Sequence, residues 1–134
     1  MKIEKFEDIE SWSKSRVLIK KIYDITYNQY FIKDNALSDQ IRRASISIMA
    51  NIAEGFDSGS DRSFINFLNY SYRSASEVQS LLYISLDQKY ISQIKFNELY
   101  EEIYIVKNLI GGLIKYLKNS ILASDKRQRT KDNS

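Results

Sequence analysis

Seven apolar residues, Phe96, Leu99, Ile103, Val106, Ile110, Leu113 and Leu117, follow one another at spacings of 3, 4, 3, 4, 3 and 4. This is an a/d seam sustained over three heptads, which marks a helix packed along one edge against other helices. The chain is 134 residues long, with no proline and four glycines. That length supports one core, and nothing in it forces a kink into a long helix.

Three further segments carry helical spacing. From about Asp8 to Asn28, Ile9, Trp12, Ile19, Ile22, Tyr23 and Thr26 fall three or four apart or at sums of these, with Glu7, Asp8 and Glu10 at the positive end of the dipole. Tyr30 to Ala36 reads as a connection. Leu37-Ser38 then opens a second helix with Ser38 as N-cap and Leu37, Ile41, Ala44, Ile48 and Ile52 as its buried stripe. This helix is expected to stop near Gly55 in a left-handed ending. Ser60 is the expected N-cap of a third helix, whose buried positions are Phe64, Phe67, Leu68, Ser71, Ala75, Val78, Leu82 and Ser85. Gly111-Gly112, inside the last helix, is read as a place of close helix packing, since no GxxxxGK element flanks it to make a phosphate loop.

After Ile121 the periodicity ends, and residues 123–134 are polar and charged. The expected organisation is a helical domain over residues 1–120 and a basic, disordered or conditionally ordered tail over 121–134. Short connections between helices of this length predict an all-α protein, an antiparallel up-down-up-down four-helix bundle.

Charge and composition remove several chemistries. There are 20 Lys plus Arg against 17 Asp plus Glu; four of those cations and two of those acids lie in 121–134, leaving 16 against 15 in the body. The excess positive charge is therefore mostly the tail, from Lys126, Arg127, Arg129 and Lys131. With no His and no Cys, the usual general base, thiolate nucleophile and zinc or di-iron ligand sets are missing. Glu101 and Glu102 are adjacent and project about 100° apart, so they do not converge on one ion. No nucleophile elbow or Ser-x-x-Lys element marks a catalytic serine. The chain is read as non-enzymatic, with no cofactor and no metal. No apolar run approaches the roughly 18 residues of a membrane span and the first residues are charged, so the expected location is the cytoplasm.

The last helix holds more apolar surface than one bundle uses. Residues 96–117 contain 13 apolar residues in 22, the seven of the seam plus Tyr100, Tyr104, Ile105, Leu109, Ile114 and Tyr116. The third helix adds Tyr70, Tyr72, Tyr83 and Ile84. Tyrosine suits a surface that is half apolar and half wet, so self-association is expected. Arg43, Ser47, Ala50, Glu54 and Asp57 share a face of the second helix distinct from its isoleucine stripe. Arg43, Asn51, Glu54, Glu77, Tyr100 and Tyr104 are the candidates for holding bundle or subunit geometry. Arg42, Arg43, Lys126, Arg127, Arg129 and Lys131 are the candidates for phosphate contact, the basic run forming an arm that a symmetric oligomer would multiply.

The run Gln40-Ile41-Arg42-Arg43-Ala44-Ser45-Ile46-Ser47-Ile48-Met49-Ala50-Asn51-Ile52-Ala53-Glu54-Gly55 resembles the bacterial four-helix bundle proteins known as 23S rRNA-intervening-sequence proteins. The likeness continues in Phe6-Glu7-Asp8-Ile9-Glu10-Ser11-Trp12, in Phe64 to Leu68 and in Ser74 to Gln79, covering about residues 3–120. The family often has a small residue and proline where this chain has Tyr30-Phe31-Ile32, and often a proline where Met49 stands. The resemblance implies a ring-shaped homopentamer and a gene often found within insertions in ribosomal RNA genes. It also implies kinship with the accessory variability proteins of diversity-generating retroelements, which are basic pentameric barrels that bind nucleic acid and a reverse transcriptase. The function expected on these grounds is an oligomeric scaffold that binds structured RNA or DNA through backbone phosphates. The alternative is an adaptor presenting an oligomeric surface to a nucleic-acid enzyme.

Overall fold

A computed structural model describes residues 2–132. Phe6–Asp8 forms a 3-10 turn, followed by four helices: α1 (Glu10–Thr26), α2 (Asn35–Phe56), α3 (Asp61–Asp87) and α4 (Gln93–Asp132). There is no strand among the described residues. The fold is all-α, a four-helix bundle in which α2 packs on α1 and α3, α4 packs on α3, and α4 also closes against α1.

One core runs through the bundle. Leu18 and Ile22 of α1, Ile41, Ile48 and Ile52 of α2, Leu68, Val78 and Leu82 of α3, and Leu99, Ile103 and Ile110 of α4 are all fully enclosed. The second helix buries the stripe that its spacing predicts. On α1 the buried line is Ser11, Ser15, Leu18, Ile22 and Thr26, with Trp12 and Ile19 only half-buried. Two serines thus occupy positions that a hydrophobicity pattern overlooks. Ser15 Oγ donates to the Ser11 carbonyl within the same helix, whereas the buried Ser11 hydroxyl has no hydrogen-bond partner among the described residues.

The long seam departs from its heptad in an instructive way. The buried positions of α4 are Phe96, Leu99, Ile103, Val106, Ile110, Ile114 and Leu117, while Leu113 is half-buried. A straight α-helix drifts about 20° per heptad from a strict seven-residue repeat. After two heptads the drift has turned Leu113 aside and brought Ile114 onto the core.

Helix ends also differ from expectation. The N-cap of α2 is Asp34, whose Oδ1 accepts the Leu37 N–H at 3.1 Å. Ser38 is buried inside the first turn, its hydroxyl bonded to the Asp34 carbonyl at 2.9 Å. Ser60 caps α3 as predicted, accepting the Ser63 N–H at 3.1 Å. Gly55 does not provide a left-handed ending. It lies within α2, and a Cβ there would fall 2.8 Å from both Phe64 Cδ1 and Phe67 Cβ. It is required because α2 and α3 approach closely. The close-packing reading of Gly111-Gly112 fails by the same measure. A Cβ at Gly111 would make ordinary contact with Tyr72, and one at Gly112 would meet nothing within 4 Å.

Beyond Ile121, where a disordered or conditionally ordered tail is expected, α4 continues as helix to Asp132. Residues 122–132 are all exposed, so this extension is not held by a core. Its residues are good helix formers such as Ala123, Lys126, Arg127, Gln128 and Arg129, without glycine or proline. Arg129 and Lys131 stand in the last turn, where cations complement the negative helix end. Arg62 of α3 pairs with Asp125 at 3.1 Å and ties the base of the extension to the bundle.

Candidate nucleic-acid and assembly surfaces

The two arginines of α2 have different fates. Arg42 is half-buried. Its Nε donates to Thr26 Oγ1 at 2.8 Å, and its guanidinium carbon lies 4.6 Å from the Tyr23 ring centroid and 4.9 Å from that of Tyr27. Its Nη2 is enclosed with no hydrogen-bond partner among the described residues. Arg42 therefore works as a clamp between α1 and α2. Tyr23 and Tyr27, the latter capping the C-terminal end of α1, are four residues apart, which is the signal in the sequence for such a cage. Arg43 points outward and is exposed, without an ion pair among the described residues.

The residues considered for bundle geometry divide as well. Asn51 is half-buried, and its amide donates to the Ser47 carbonyl at 2.8 Å and to Ser47 Oγ at 3.0 Å. Ser74 Oγ of α3 donates to Ser47 Oγ at 2.8 Å, and Ser71 Oγ donates to the Ile48 carbonyl at 2.7 Å. Glu77 receives the Gln40 amide, so Gln40, Ser47 and Ile48 of α2 join α3 through a polar seam, with Asn51 bonded to Ser47 within α2. Glu54 is exposed.

Of the tyrosines of α3 and α4, Tyr83 and Tyr100 join Phe96 in one aromatic group. The Tyr83 ring lies 4.9 Å from Phe96 and 5.7 Å from Tyr100, and Phe96 stacks on Tyr100 at 5.4 Å. Tyr100 is half-buried, and its phenol is held above the usual tyrosine value, by hydrogen bonding with Tyr83 first and burial second. Tyr83 and Tyr104 remain about half exposed, at 50% and 51%. Further along the same two helices, Lys107 donates to Gln79 Oε1 at 3.1 Å and sits 4.9 Å from the Tyr72 ring.

On the other flank of α4, Lys21 of α1 reaches Glu102 at 2.8 Å and Glu98 at 3.2 Å. Glu102 first and Glu98 second raise the lysine above its ordinary value. Beside this pair a shallow cavity of about 290 Å³ is lined by Ser13, Lys14, Val17, Glu102, Ile105 and Val106. The side chains of Lys126, Arg127, Arg129 and Lys131 all lie on the exposed extension, well away from Arg42. The structure therefore does not gather the phosphate candidates into one patch.

Among the described residues no group of three or more His, Cys, Asp or Glu is placed to hold a metal ion. No described helix is long and apolar enough to cross a membrane.

Comparison with known proteins fits this architecture. No curated protein matches the chain. A solved structure from Bacteroides thetaiotaomicron VPI-5482, a protein of unknown function from the S23 ribosomal protein family, is similar with a TM-score of 0.72 and 28% identity. The alignment covers 78% of this chain and 98% of that one. The family model for the 23S rRNA-intervening sequence protein matches residues 7–112, which hold the Arg42 clamp, the serine seam of α2 and α3 and the aromatic group. The chain belongs to the 23S rRNA-intervening sequence protein family.

Proposed function

We propose that this protein is a non-enzymatic homo-oligomeric scaffold, a ring-shaped pentamer of antiparallel four-helix protomers, that binds structured RNA or DNA through backbone phosphates. The observation that carries the reading is the division of its surface. Large apolar and tyrosine side chains face outward on α3 and α4, among them Tyr70, Tyr72, Tyr83, Ile84, Tyr104 and Ile105. Cations are concentrated on the exposed end of α4. The first kind of surface suits self-association and the second suits a polyanion.

The antiparallel arrangement is supported by the order of cross-helix pairs. Tyr83 meets Phe96, Gln79 meets Lys107 and Arg62 meets Asp125, so α4 ascends as α3 descends. With α2, Glu77 meets Gln40 and Ser71 meets Ile48, again in opposite order. Membership of the family supports the pentamer and the association with ribosomal RNA.

Light scattering of the purified protein tests the assembly: about five times the chain mass of 15.7 kDa is expected, and a monomer overturns it. Titration with labelled RNA and DNA tests the function. Binding that weakens steeply with salt is expected, and no binding at about 50 mM salt overturns it.

A second reading, an adaptor for a nucleic-acid enzyme, is favoured by the strip of Tyr72, Tyr83 and Tyr104 bordered by Lys107. Aromatic residues with polar edges are typical of protein contacts. It predicts weak intrinsic nucleic-acid binding and one specific co-purifying protein.

A further inference from the structure

The helical extension of α4 has two electrostatic sides. At about 100° per residue, Asp125 and Asp132 fall within about 20° of each other, with Gln128 beside them. The Gln128 amide donates to Asp132 Oδ1 at 2.9 Å, which keeps that side internally paired. Lys126, Arg127, Arg129 and Lys131 occupy the remaining arc, about 200° wide and centred near Thr130. Thr130 itself bonds back to the Lys126 carbonyl at 3.1 Å. The Arg62–Asp125 pair turns the acidic side toward α3, so the centre of the basic arc faces away from the bundle, with Arg127 at the edge of a cleft shared with Ser60, Asp61 and Arg62. From Asp125 to Asp132 the helix advances about 10 Å, and every residue of that stretch is exposed.

Four cations spread over so wide an arc cannot all meet one flat row of phosphates. A groove with phosphates on both walls can meet them all. The major groove of B-form DNA is about 12 Å wide and admits an α-helix, whereas that of an A-form RNA duplex is too deep and narrow. We propose that residues 122–132 seat in the major groove of duplex DNA as a helix held by phosphate contacts. The inference rests on the phosphate-binding reading above and narrows it to B-form duplex. The extension continues α4 without a core to hold it, so seating should also raise its helix content.

The test uses the full chain and fluorescence anisotropy with a DNA duplex, an RNA duplex of the same sequence and the DNA single strand. The DNA duplex is expected to bind at least about tenfold more tightly than the other two. Its affinity should fall about 100-fold or more between 50 and 200 mM salt, the slope for four or more phosphates. Replacing Lys126, Arg127, Arg129 and Lys131 together by alanine should remove that preference and most of the salt dependence. Gln128→Pro keeps every charge and should also remove the preference; both variants alter only exposed residues, so the thermal transition of the bundle should remain. Unchanged duplex binding by either variant, equal binding of duplex RNA, or equally tight binding of polyglutamate overturns the inference. In the first two cases the scaffold reading survives; absence of all nucleic-acid binding at 50 mM salt overturns both.

Discussion

Tyr90 donates its hydroxyl to Oδ2 of Asp34 at 3.0 Å, while Oδ1 of the same carboxylate caps α2. One side chain thus fixes the start of α2 and the connection between α3 and α4. The Tyr90 ring also packs 4.9 Å from that of the fully buried Phe31. Asp34→Ala is expected to cost about 1 kcal/mol from the lost cap, and more from the lost link to Tyr90. Urea unfolding of the two single variants and of the double variant with Tyr90→Phe should be non-additive. Burial first, and the Asp34 hydrogen bond second, hold the Tyr90 phenol above its ordinary value of 10.0. Its contribution is therefore complete below pH 10 and is lost as pH rises through the higher folded value. The wild type should lose stability in strong alkali more steeply than Tyr90→Phe.

The ion cluster that joins α1 to α4 has an acid-side signature. Lys95 first, and Lys21 second, hold the Glu98 carboxyl below its ordinary 4.5. That contribution is present above pH 4.5 and disappears as pH falls through the depressed folded value. Lys21→Met should lower stability at neutral pH. It should leave part of the acid-side dependence, because Lys95 remains 2.9 Å from Glu98. Chemical denaturation at descending pH measures both effects. Roughly 1 M salt should shrink the neutral-pH difference.

Two glycines should respond to the same substitution with opposite signs. Gly55→Ala forces a methyl to 2.8 Å from Phe64 and Phe67, and is expected to cost about 1–3 kcal/mol through overpacking. Gly112→Ala meets open space in mid-helix and should stabilise by about 0.5–1 kcal/mol. Thermal melts of the two variants decide it. A destabilising Gly112→Ala would show that the Gly112 surface is covered in the assembled protein.

Arg42 and Arg43 are neighbours with separable roles. Arg42→Ala removes the Thr26 hydrogen bond and two ring contacts and should cost about 2 kcal/mol, with little change in salt-dependent nucleic-acid affinity. Arg43→Ala should leave stability within about 0.5 kcal/mol of wild type and weaken any phosphate binding on that face. Parallel unfolding and binding titrations separate the two. If Arg42→Ala weakens binding without loss of stability, the clamp assignment is wrong.

Four helices, the stripe of α2, the Ser60 cap of α3 and the family likeness of the run from Gln40 to Gly55 can all be read from the order of the amino acids. These are legible because they depend on residues within a turn or two of one another, where spacing alone sets which side chains share a face. Which polar groups are engaged follows from how the four helices pack. The packing sets Arg42 between Tyr23 and Tyr27, gives Asp34 its second partner, makes Gly55 a contact point with Phe64 and Phe67, and puts Ile114 on the core in place of Leu113. The α4 helix also outlasts its own hydrophobic pattern, with Arg62 on another helix holding Asp125. Partners of this kind depend on how helices are rotated and shifted against one another; the Tyr23–Tyr27 spacing offers a cage, but nothing within that helix names Arg42 as the cation that fills it.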